Sequence, residues 1–398
     1  MFDSISPAPP DAILGLTDAF HADPNPKKIN LGVGVFVDAE GKTPILESVK
    51  RAELRLLETE KTKSYLPISG SPAYAAGIQD LLLGTHHPVR SAKAIRTAQT
   101  PGGTGALRVG ADFLQRFRPG ATVWVSNPTW ANHKAIFSAA GFAVKEYPYY
   151  DPASKGLDVD GMMSALAAVP ATDIVLLHVC CHNPTGVDPD AAQWEAITRL
   201  AAEKGWLPFF DFAYQGFGRG IAEDRQPLLT MADAGLEFVV ASSCSKNFGL
   251  YNERTGAFSL IATSAAAAEA AFSHVKTAIR SNYSNPPRHG GAIVETILSD
   301  AELHAEWVSE LDAMRSRIHQ LRQQLVNGLQ SRGVDRDFSF ITRQMGMFSF
   351  SGLTDAQVKT LRDDHSIYMV GGGRINIAGI TASALDPLCD AVAAVLQH

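Results

Sequence analysis

The sequence predicts an α/β fold in which a parallel sheet is covered by helices on both faces. Short apolar runs lie at 121–128, 173–180, 207–214 and 237–245, and helical patterns such as the amphipathic stretch 190–205 separate them. Strands that are buried on both faces are almost continuously apolar, and their alternation with helices is typical of a parallel sheet.

The last part of the chain predicts a smaller α+β unit. Apolar residues recur at helical spacing over 301–333, and Gly333 marks the expected end of this long helix. The segment 337–353 alternates like strands, 355–370 predicts a helix followed by a strand, and 383–397 predicts a final helix. A length of 398 residues favours more than one domain.

Composition argues against several classes of protein. The net charge of −6 gives no electrostatic footprint for nucleic acid or an anionic membrane. No apolar run approaches the ~20 residues of a membrane span, and the first residues lack the features of a signal peptide. The cysteines Cys180, Cys181, Cys244 and Cys389 form no C-x-x-C pair. We therefore expect no metal site, no disulfide framework and a cytoplasmic location.

Polar residues follow the apolar runs in the middle of the chain. Asn127 ends the first run, His182 and Asn183 follow the second, Asp211 lies within the third and Lys246 follows the fourth. In open α/β sheets, ligands bind beyond the carboxyl ends of the strands. The pattern therefore predicts that these side chains share one crevice.

A glycine-rich stretch at 99–117 is a candidate anion site. Gly102, Gly103 and Gly105 free the backbone for close approach, and a helix expected to start near Ala106 would direct its first N–H groups at a phosphate. The stretch matches neither the dinucleotide fingerprint nor a Walker loop, which disfavours a nicotinamide oxidoreductase. A simple glycine-rich turn is the alternative.

Lys246 suits a nucleophile. A lysine at the dry end of a sheet has a depressed pKa, and beside a phosphate site its natural electrophile is the aldehyde of pyridoxal phosphate, held as a Schiff base. That cofactor needs a carboxylate beside its pyridine nitrogen. Asp211 suits this role, and the alternative for Asp211 is a turn or helix-capping aspartate.

Several longer motifs resemble one enzyme family, the aspartate/aromatic aminotransferases, which are class I, fold-type I pyridoxal phosphate enzymes. The resemblance runs from about residue 10 to the C-terminus and is closest to the bacterial aspartate aminotransferase type. The motifs are "NPTWANH" (127–133), "CCHNPTG" (180–186), "FDFAYQGFG" (210–218), "SSCSKNFGLYNERTG" (242–256), "IRSNYSNPP" (279–287) and "GRINIAG" (373–379).

The resemblance implies the domain organisation. A proline-rich N-terminal arm over 1–10 would precede a large cofactor-binding domain over 44–313 with a mostly parallel seven-stranded sheet. A small domain would combine 11–43 with 314–398. It would close over the substrate and exclude water. The family also implies a homodimer with shared active sites.

The resemblance further implies how the cofactor is held. Lys246 would form the Schiff base and then move a proton between the substrate Cα and cofactor C4′, with Asp211 on the pyridine nitrogen and His133 supporting Asp211. Asn183 and Tyr214 would donate to the cofactor's 3′-oxygen, and Lys246, Asp211 and Tyr214 are the implied catalytic residues. The full implied cofactor set is Gly103, Thr104, Trp130, His133, Asn183, Asp211, Tyr214, Ser243, Ser245, Lys246 and Arg254, with Tyr65 reaching the phosphate of the neighbouring subunit.

Two arginines are implied to bind the substrate, because planar two-point recognition of a carboxylate suits arginine. Arg374 would bind the α-carboxylate beside Asn183, and Arg280 would bind the distal carboxylate in the opposite subunit's site. Gly34 and Trp130 complete the implied substrate contacts.

The chain departs from the family pattern at Gly102, at the run Gly371–Gly373 and at Phe36, where many relatives have tyrosine and to which we attach no function. Gly102 stands where some relatives have serine, so that one side-chain donor to the phosphate is missing. The run Gly371–Gly373 is expected to loosen the small domain locally.

The implied reaction is transamination of L-aspartate with 2-oxoglutarate, to give oxaloacetate and L-glutamate. The first alternative is an aromatic-amino-acid or dual-specificity aminotransferase with the same active site. A different pyridoxal phosphate reaction is disfavoured because both carboxylate-binding arginines are present. A non-catalytic protein of the same fold is disfavoured by the complete set of Lys246, Asp211 and Arg254.

Overall fold

The computed structural model describes residues 2–7 and 12–397, and for residues 12–14 it describes only the backbone. The chain divides into two compact units. One consists of Pro44–Ser316, and the other combines Met1–Thr43 with Arg317–His398. Among the described residues, every helix is too short or too polar to cross a membrane.

The unit Pro44–Ser316 contains a seven-stranded sheet, which confirms the predicted α/β fold. Thr255–Ile261 runs antiparallel to both of its neighbours, and the other strand pairs are parallel. In spatial order the strands are Ile95–Pro101, Thr255–Ile261, Phe238–Ser243, Leu207–Phe212, Ile174–His178, Thr122–Asn127 and Ala143–Pro148.

Helices connect these strands. The predicted amphipathic stretch forms Ala191–Lys204, which begins at a capping box of Asp190 and Gln193 and ends at Gly205 in a left-handed conformation. A short strand pair, Tyr150–Asp151 with Gly156–Leu157, lies outside the main sheet. The other helices of this unit are Glu47–Thr59, Pro72–Leu83, Pro88–Ser91, Gly102–Phe117, Asn132–Ala139, Val159–Ala167, Ile221–Asp224, Gln226–Asp233, Ala265–Asn282, Arg288–Ser299 and the first part of Ala301–Ser331.

The helix Gly102–Phe117 packs closely on the sheet. A Cβ at Gly110 would lie 2.6 Å from ring atoms of both Phe209 and Phe258, so only glycine permits this approach. Phe113 and Leu107 of the same helix are buried in the core cluster with strand residues. The packing fixes the N-terminus of the helix at the carboxyl end of the strand that precedes it.

The predicted start of that helix near Ala106 is wrong. The helix begins at Gly102, which has a φ of +71°, directly after the strand Ile95–Pro101. The glycines therefore form the first helical turn and not a separate loop. The predicted start was too late because glycine has a low helix propensity.

The other unit has short strands and several helices. Ile29–Asn30 pairs in parallel with Ile367–Tyr368, and Phe348–Phe350 pairs antiparallel with Arg374–Asn376. Gly333 has a φ of +69° shortly after the long helix ends at Ser331. The helices of this unit are Phe2–Ser4, Ala12–Ala22, Phe340–Arg343, Asp355–His365, Gly371–Gly373, Ile377–Gly379, Leu385–Leu396 and the last part of Ala301–Ser331.

The strand pattern predicted over 337–353 is largely wrong. The segment holds the helical turn Phe340–Arg343, and only Phe348–Phe350 is a strand. A side chain binds several carbonyl groups of this segment, since the buried Arg322 donates to the carbonyl oxygens of Ile341, Gly346 and Phe348 at 2.7–3.0 Å.

Candidate active site

Lys246 lies just beyond the strand Phe238–Ser243, with its Nζ 5.0 Å from the centre of the Tyr214 ring. Burial lowers the pKa of Lys246, and the charge of Arg254 lowers it further, whereas Asp211 opposes the shift. A lowered pKa leaves more of the amine neutral at physiological pH, which a nucleophilic or basic lysine requires.

Asp211 is the second charged group of this cluster and is only 8% exposed. Its Oδ2 lies 2.9 Å from His133 Nε2, and His133 Nδ1 lies 2.8 Å from Thr129 Oγ1. Burial raises the pKa of Asp211, but the hydrogen bond from His133 and the electrostatic effects of His133, His178 and Lys246 together outweigh burial, so the pKa lies below its usual value. The carboxylate therefore stays ionised, as a partner for a protonated ring nitrogen must.

Trp130 belongs to the same neighbourhood. It is partly buried against the core, and its ring meets the His133 ring edge to face, with centroids 5.2 Å apart. The turn that carries "NPTW" thus leads directly from the strand Thr122–Asn127 into the helix that begins at Asn132 and bears His133.

His178, to which the sequence reasoning gave no role, lies between His133 and His182 in a row of histidine rings near Asp211. The His178 ring lies 5.2 Å from that of His133 and 4.2 Å from that of His182. Burial lowers the pKa of His178 to about 3 and that of His182 well below its ordinary value, so both rings are neutral. A histidine inside an otherwise apolar strand, as at position 178, was the available signal.

The first turn of the helix Gly102–Phe117 forms a cradle that side chains would fill. A Cβ at Gly102 would lie 2.7 Å from Arg254 Nη2, and a Cβ at Gly256 would lie 2.5 Å from the carbonyl carbon of Gly102. A Cβ at Gly103 would lie 3.1 Å from Cβ of Ser243. The helix N–H groups, an arginine and buried serine hydroxyls suit a phosphate dianion.

The serine-rich segment before Lys246 adds polar groups to this cradle. Ser243 and Ser245 are both buried, and the Ser245 N–H donates to Ser243 Oγ at 3.2 Å. Thr104 is partly buried in the first helical turn, next to Gly103. Arg254 has a φ of +52°, and its Nη1 donates to the Tyr251 carbonyl oxygen at 2.9 Å.

Two implied site residues are exposed in the single chain. Tyr65 is 92% exposed, although most tyrosines of the chain are buried. Arg280 is also exposed, on the last turn of the helix Ala265–Asn282, and donates to Ser284 Oγ. Neither side chain contributes to the core of its own chain.

In the other unit, Arg374 is 5% exposed and donates to the Gly32 carbonyl oxygen at 2.6 Å. Its guanidinium carbon lies 4.5 Å from the centre of the Phe348 ring. A Cβ at Gly34 would lie 2.9 Å from Phe348 Cζ, so a larger residue there would force the Phe348 ring to shift. Asn376 fixes the same segment by donating to the carbonyl oxygens of Val33 and Val35 at 2.7 Å.

Two of the three glycines before Arg374 have backbone conformations that favour glycine. Gly372 and Gly373 have φ values of +74° and +78°, and a Cβ at Gly373 would lie 2.8 Å from Ser351 Oγ. Ser351 Oγ donates to the Gly373 carbonyl oxygen at 2.7 Å. The expected local loosening does not describe Gly373, which is buried and hydrogen-bonded.

Taken with the doubly covered sheet, the lysine, the ionised aspartate and the glycine-lined helix start define a fold-type I transferase that works with pyridoxal phosphate. Residues 26–392 match the family described as aminotransferase class I and II. The chain belongs to this family.

Known proteins resemble the chain over its whole length. An aspartate aminotransferase of Salmonella typhi is 56% identical over 396 residues, and one of Escherichia coli K12 is 55% identical, each match covering 100% of both chains. A crystal structure of an aromatic-amino-acid aminotransferase from Burkholderia pseudomallei, covalently bound to pyridoxal phosphate, is 49% identical. It superimposes with a TM-score of 0.98 and covers 100% of this chain and 99% of that chain. The predicted family is confirmed.

Proposed function

We propose that this aminotransferase transfers the amino group of L-aspartate to 2-oxoglutarate, giving oxaloacetate and L-glutamate. The observation that carries the choice of substrate is the full-length identity of 55–56% to relatives named aspartate aminotransferase. The lowered pKa of Lys246, beside the ionised Asp211, supports the reaction type.

When bound, pyridoxal phosphate supplies an electron sink that makes the α-proton of an amino acid removable. Lys246 would hold the cofactor and would then serve as the acid–base group that moves the α-proton of the substrate. The anionic Asp211 keeps a proton on the ring nitrogen, and His133 holds the Asp211 carboxylate in place. Asn183 and Tyr214, both buried, donate to the 3′-oxygen.

The remaining proposed contacts hold the phosphate and the ring. Trp130 would contact the cofactor ring, in keeping with its position against His133. The set proposed for the phosphate is Gly103, Thr104, Ser243, Ser245 and Arg254, around the helix start that would be blocked by added Cβ atoms. Arginine and backbone N–H donors match a dianionic phosphate.

Substrate recognition is proposed to depend on carboxylates. Arg374 binds the α-carboxylate, and the Gly32 and Phe348 contacts hold its guanidinium in a fixed direction. Gly34 leaves space that a side chain would take. Arg280 binds the distal carboxylate of a substrate in a second subunit, which is supported by its exposure in the single chain.

The proposed assembly is a homodimer in which Tyr65 and Arg280 serve the opposite site. The exposed apolar side chains Leu54 and Leu57 on the helix Glu47–Thr59 support a covered surface in this region. We assign Pro44–Ser316 as the large, cofactor-binding domain and the other unit as the small domain. The burial of all four cysteines as thiols supports a reducing cytoplasm.

The second candidate is an aromatic or dual-specificity aminotransferase. It is favoured by the structural match to an aromatic-amino-acid aminotransferase at 49% identity and a TM-score of 0.98. The cofactor chemistry is the same for both candidates. The two candidates differ in the substrate side chain that the site prefers.

A substrate panel decides between the two candidates. Purified enzyme is assayed with aspartate, phenylalanine and tyrosine as donors and 2-oxoglutarate as the common acceptor, and kcat/KM values are compared. We expect the largest value for aspartate, with Lys246→Ala as the inactive control. A higher value for phenylalanine than for aspartate would replace aspartate as the assigned substrate.

A further inference from the structure

Asn183 lies in a tight turn that follows the strand Ile174–His178. The turn is held by a carboxylate from further along the chain, because Asp188 Oδ2 accepts from the Cys181 N–H at 2.7 Å and Asp188 Oδ1 accepts from the His182 N–H at 2.9 Å. Cys181 has a φ of +54°, an uncommon conformation for a side chain-bearing residue. The two hydrogen bonds stabilise this backbone two residues before Asn183.

The loop after Tyr214 is held in the same way. Asp224 Oδ2 accepts from the N–H groups of Gly216 and Gly218 at 2.8 and 3.0 Å, and Asp224 Oδ1 accepts from the Arg219 N–H at 2.7 Å. Asp224 is 5% exposed. A Cβ at Gly218 would lie 2.5 Å from Asp224 Oδ1, so the loop closes tightly around the carboxylate.

The two loops also contact each other. The Cys180 and Cys181 thiols approach the Tyr214 carbonyl oxygen at 3.7 and 4.0 Å as donors. Burial raises the pKa of Asp188 to about 7 and raises that of Asp224, and each shift is opposed by the backbone N–H donors. Asp224 also raises the pKa of Asp188, which places the two carboxylates within electrostatic reach of each other.

This cluster is a poor metal site, although ligand atoms of Cys180, Cys181 and Asp224 lie within 4.8 Å of one another. Burial raises the pKa of the Cys180 thiol well above its usual value, whereas a metal requires the thiolate. The Asp224 oxygens are already occupied by three backbone N–H groups. These contacts indicate that Asp224 holds the backbone of the loop in place.

We propose that Asp188 and Asp224 are positioning residues that set the two hydrogen-bond donors of the cofactor's 3′-oxygen, Asp188 through the turn that bears Asn183 and Asp224 through the loop that follows Tyr214. The inference rests on the proposed function, since the roles of Asn183 and Tyr214 come from it. Neither aspartate touches the reacting atoms in this scheme. Each acts through the backbone.

The physical consequence is a change in the acidity of the lysine-bound cofactor. Donors to the 3′-oxygen stabilise its deprotonated form and lower the pH midpoint of the cofactor's absorption change. Loss of a hydrogen bond to a charged acceptor moves such a midpoint by roughly one to two pH units. Asp188→Asn places an amide NH₂ where one oxygen accepted an N–H, so the turn must shift and weaken the donation by Asn183.

The test is a spectrophotometric pH titration of the holoenzyme without substrate, on wild type, Asp188→Asn, Asn183→Ala and the double variant. Asp173→Asn is the matched control. Asp173 is 6% exposed and likewise accepts two N–H groups, from Thr122 N at 3.1 Å and Trp124 Nε1 at 2.9 Å, but it precedes the strand Ile174–His178 and lies at its opposite end.

We expect Asp188→Asn to raise the pH midpoint. The control Asp173→Asn should leave the midpoint unchanged despite a similar loss of thermal stability. In the double variant, Asp188→Asn should cause no further shift beyond that of Asn183→Ala. An unchanged midpoint in Asp188→Asn, or full additivity in the double variant, overturns the inference while Asn183 keeps its role. An unchanged midpoint in Asn183→Ala overturns the proposed role of Asn183 itself.

The same test is applied independently to the loop that follows Tyr214. Asp224→Asn is combined with Tyr214→Phe, and the same loss of additivity is expected. If Asp188→Asn does not accumulate as folded protein, Asp188→Ser keeps one acceptor oxygen and is titrated in its place. No loss of additivity in the Asp224 pair overturns the assignment for that loop.

Discussion

His133 Nε2 and Asp211 Oδ2 lie 2.9 Å apart, and both side chains are buried. The geometry explains how a carboxylate that burial would neutralise keeps a pKa below its usual value. His133 is itself fixed from its other ring nitrogen by Thr129 Oγ1. These contacts fix the orientation of the Asp211 carboxylate at the end of the strand Leu207–Phe212.

Asp211→Ala is expected to lower kcat by roughly 10²- to 10³-fold, the typical loss of one preorganised electrostatic partner. The dissociation constant of the cofactor should change less, because the phosphate contacts and Lys246 remain. Asp211→Glu should retain part of the rate, since the negative charge is kept. Steady-state kinetics and cofactor titration measure the two effects. Wild-type turnover in Asp211→Ala would make Asp211 a structural turn residue.

Lys246 is expected to be the only lysine that carries the cofactor. Borohydride reduction of the holoenzyme followed by peptide mapping should place the pyridoxyl group on Lys246, and its lowered pKa favours this over solvated lysines. Lys246→Ala should still bind cofactor through the phosphate contacts but lose at least ~10²- to 10⁴-fold in kcat, the usual range for a general acid–base group. A pyridoxyl group on another lysine would contradict the assignment.

Sequence reasoning predicted a cluster because the carboxyl ends of parallel strands share one edge, so residues as distant as Asn183, Asp211 and Lys246 were expected together. The role of His133 came only from the family resemblance. Sequence reasoning misplaced the start of the helix at Gly102, whose φ of +71° and close contact with Arg254 depend on a residue far along the chain. It also missed His178, because an apolar strand pattern does not reveal which ring packs against a strand residue. Tertiary contacts decide both features.

Gly102 gives a prediction on cofactor binding. Gly102→Ala combines a strained backbone, at a φ of +71°, with a Cβ 2.7 Å from Arg254 Nη2, so the guanidinium must move. The cofactor dissociation constant should rise roughly tenfold or more, the effect of losing about 1.4 kcal/mol. Serine at this position should behave similarly in this backbone.

Gly235→Ala is the matched control for Gly102→Ala. Gly235 has a φ of +72°, and a Cβ there would meet nothing within 4 Å. Both variants should lose a similar ~1 kcal/mol of stability from the left-handed conformation. Equal cofactor affinity in the two variants would show that Arg254 is not displaced from a phosphate site.

Shared active sites predict complementation between inactive subunits. Lys246→Ala and Arg280→Ala subunits are mixed under conditions of verified subunit exchange, and aspartate turnover is followed. If Arg280 acts across the interface, each heterodimer has one site with both defects and one with neither, so that activity returns. Homodimers of each variant are the controls. No recovery would mean that one chain supplies each complete site.

Arg280 gives the sharpest prediction on specificity. A distal carboxylate bound to arginine gains two-point, charge-assisted hydrogen bonds, and removing one partner of such a buried pair costs ~2–5 kcal/mol. Arg280→Leu should therefore lower kcat/KM for aspartate by roughly 30- to 5,000-fold. Phenylalanine offers Arg280 no charge, so its kcat/KM should fall little or rise. Lys276→Leu, which removes a positive charge one turn earlier on the same helix, should affect neither substrate strongly. Equal losses for both substrates in Arg280→Leu would assign Arg280 to the fold or the cofactor, because a residue that recognises the side chain must distinguish the charged substrate from the aromatic one.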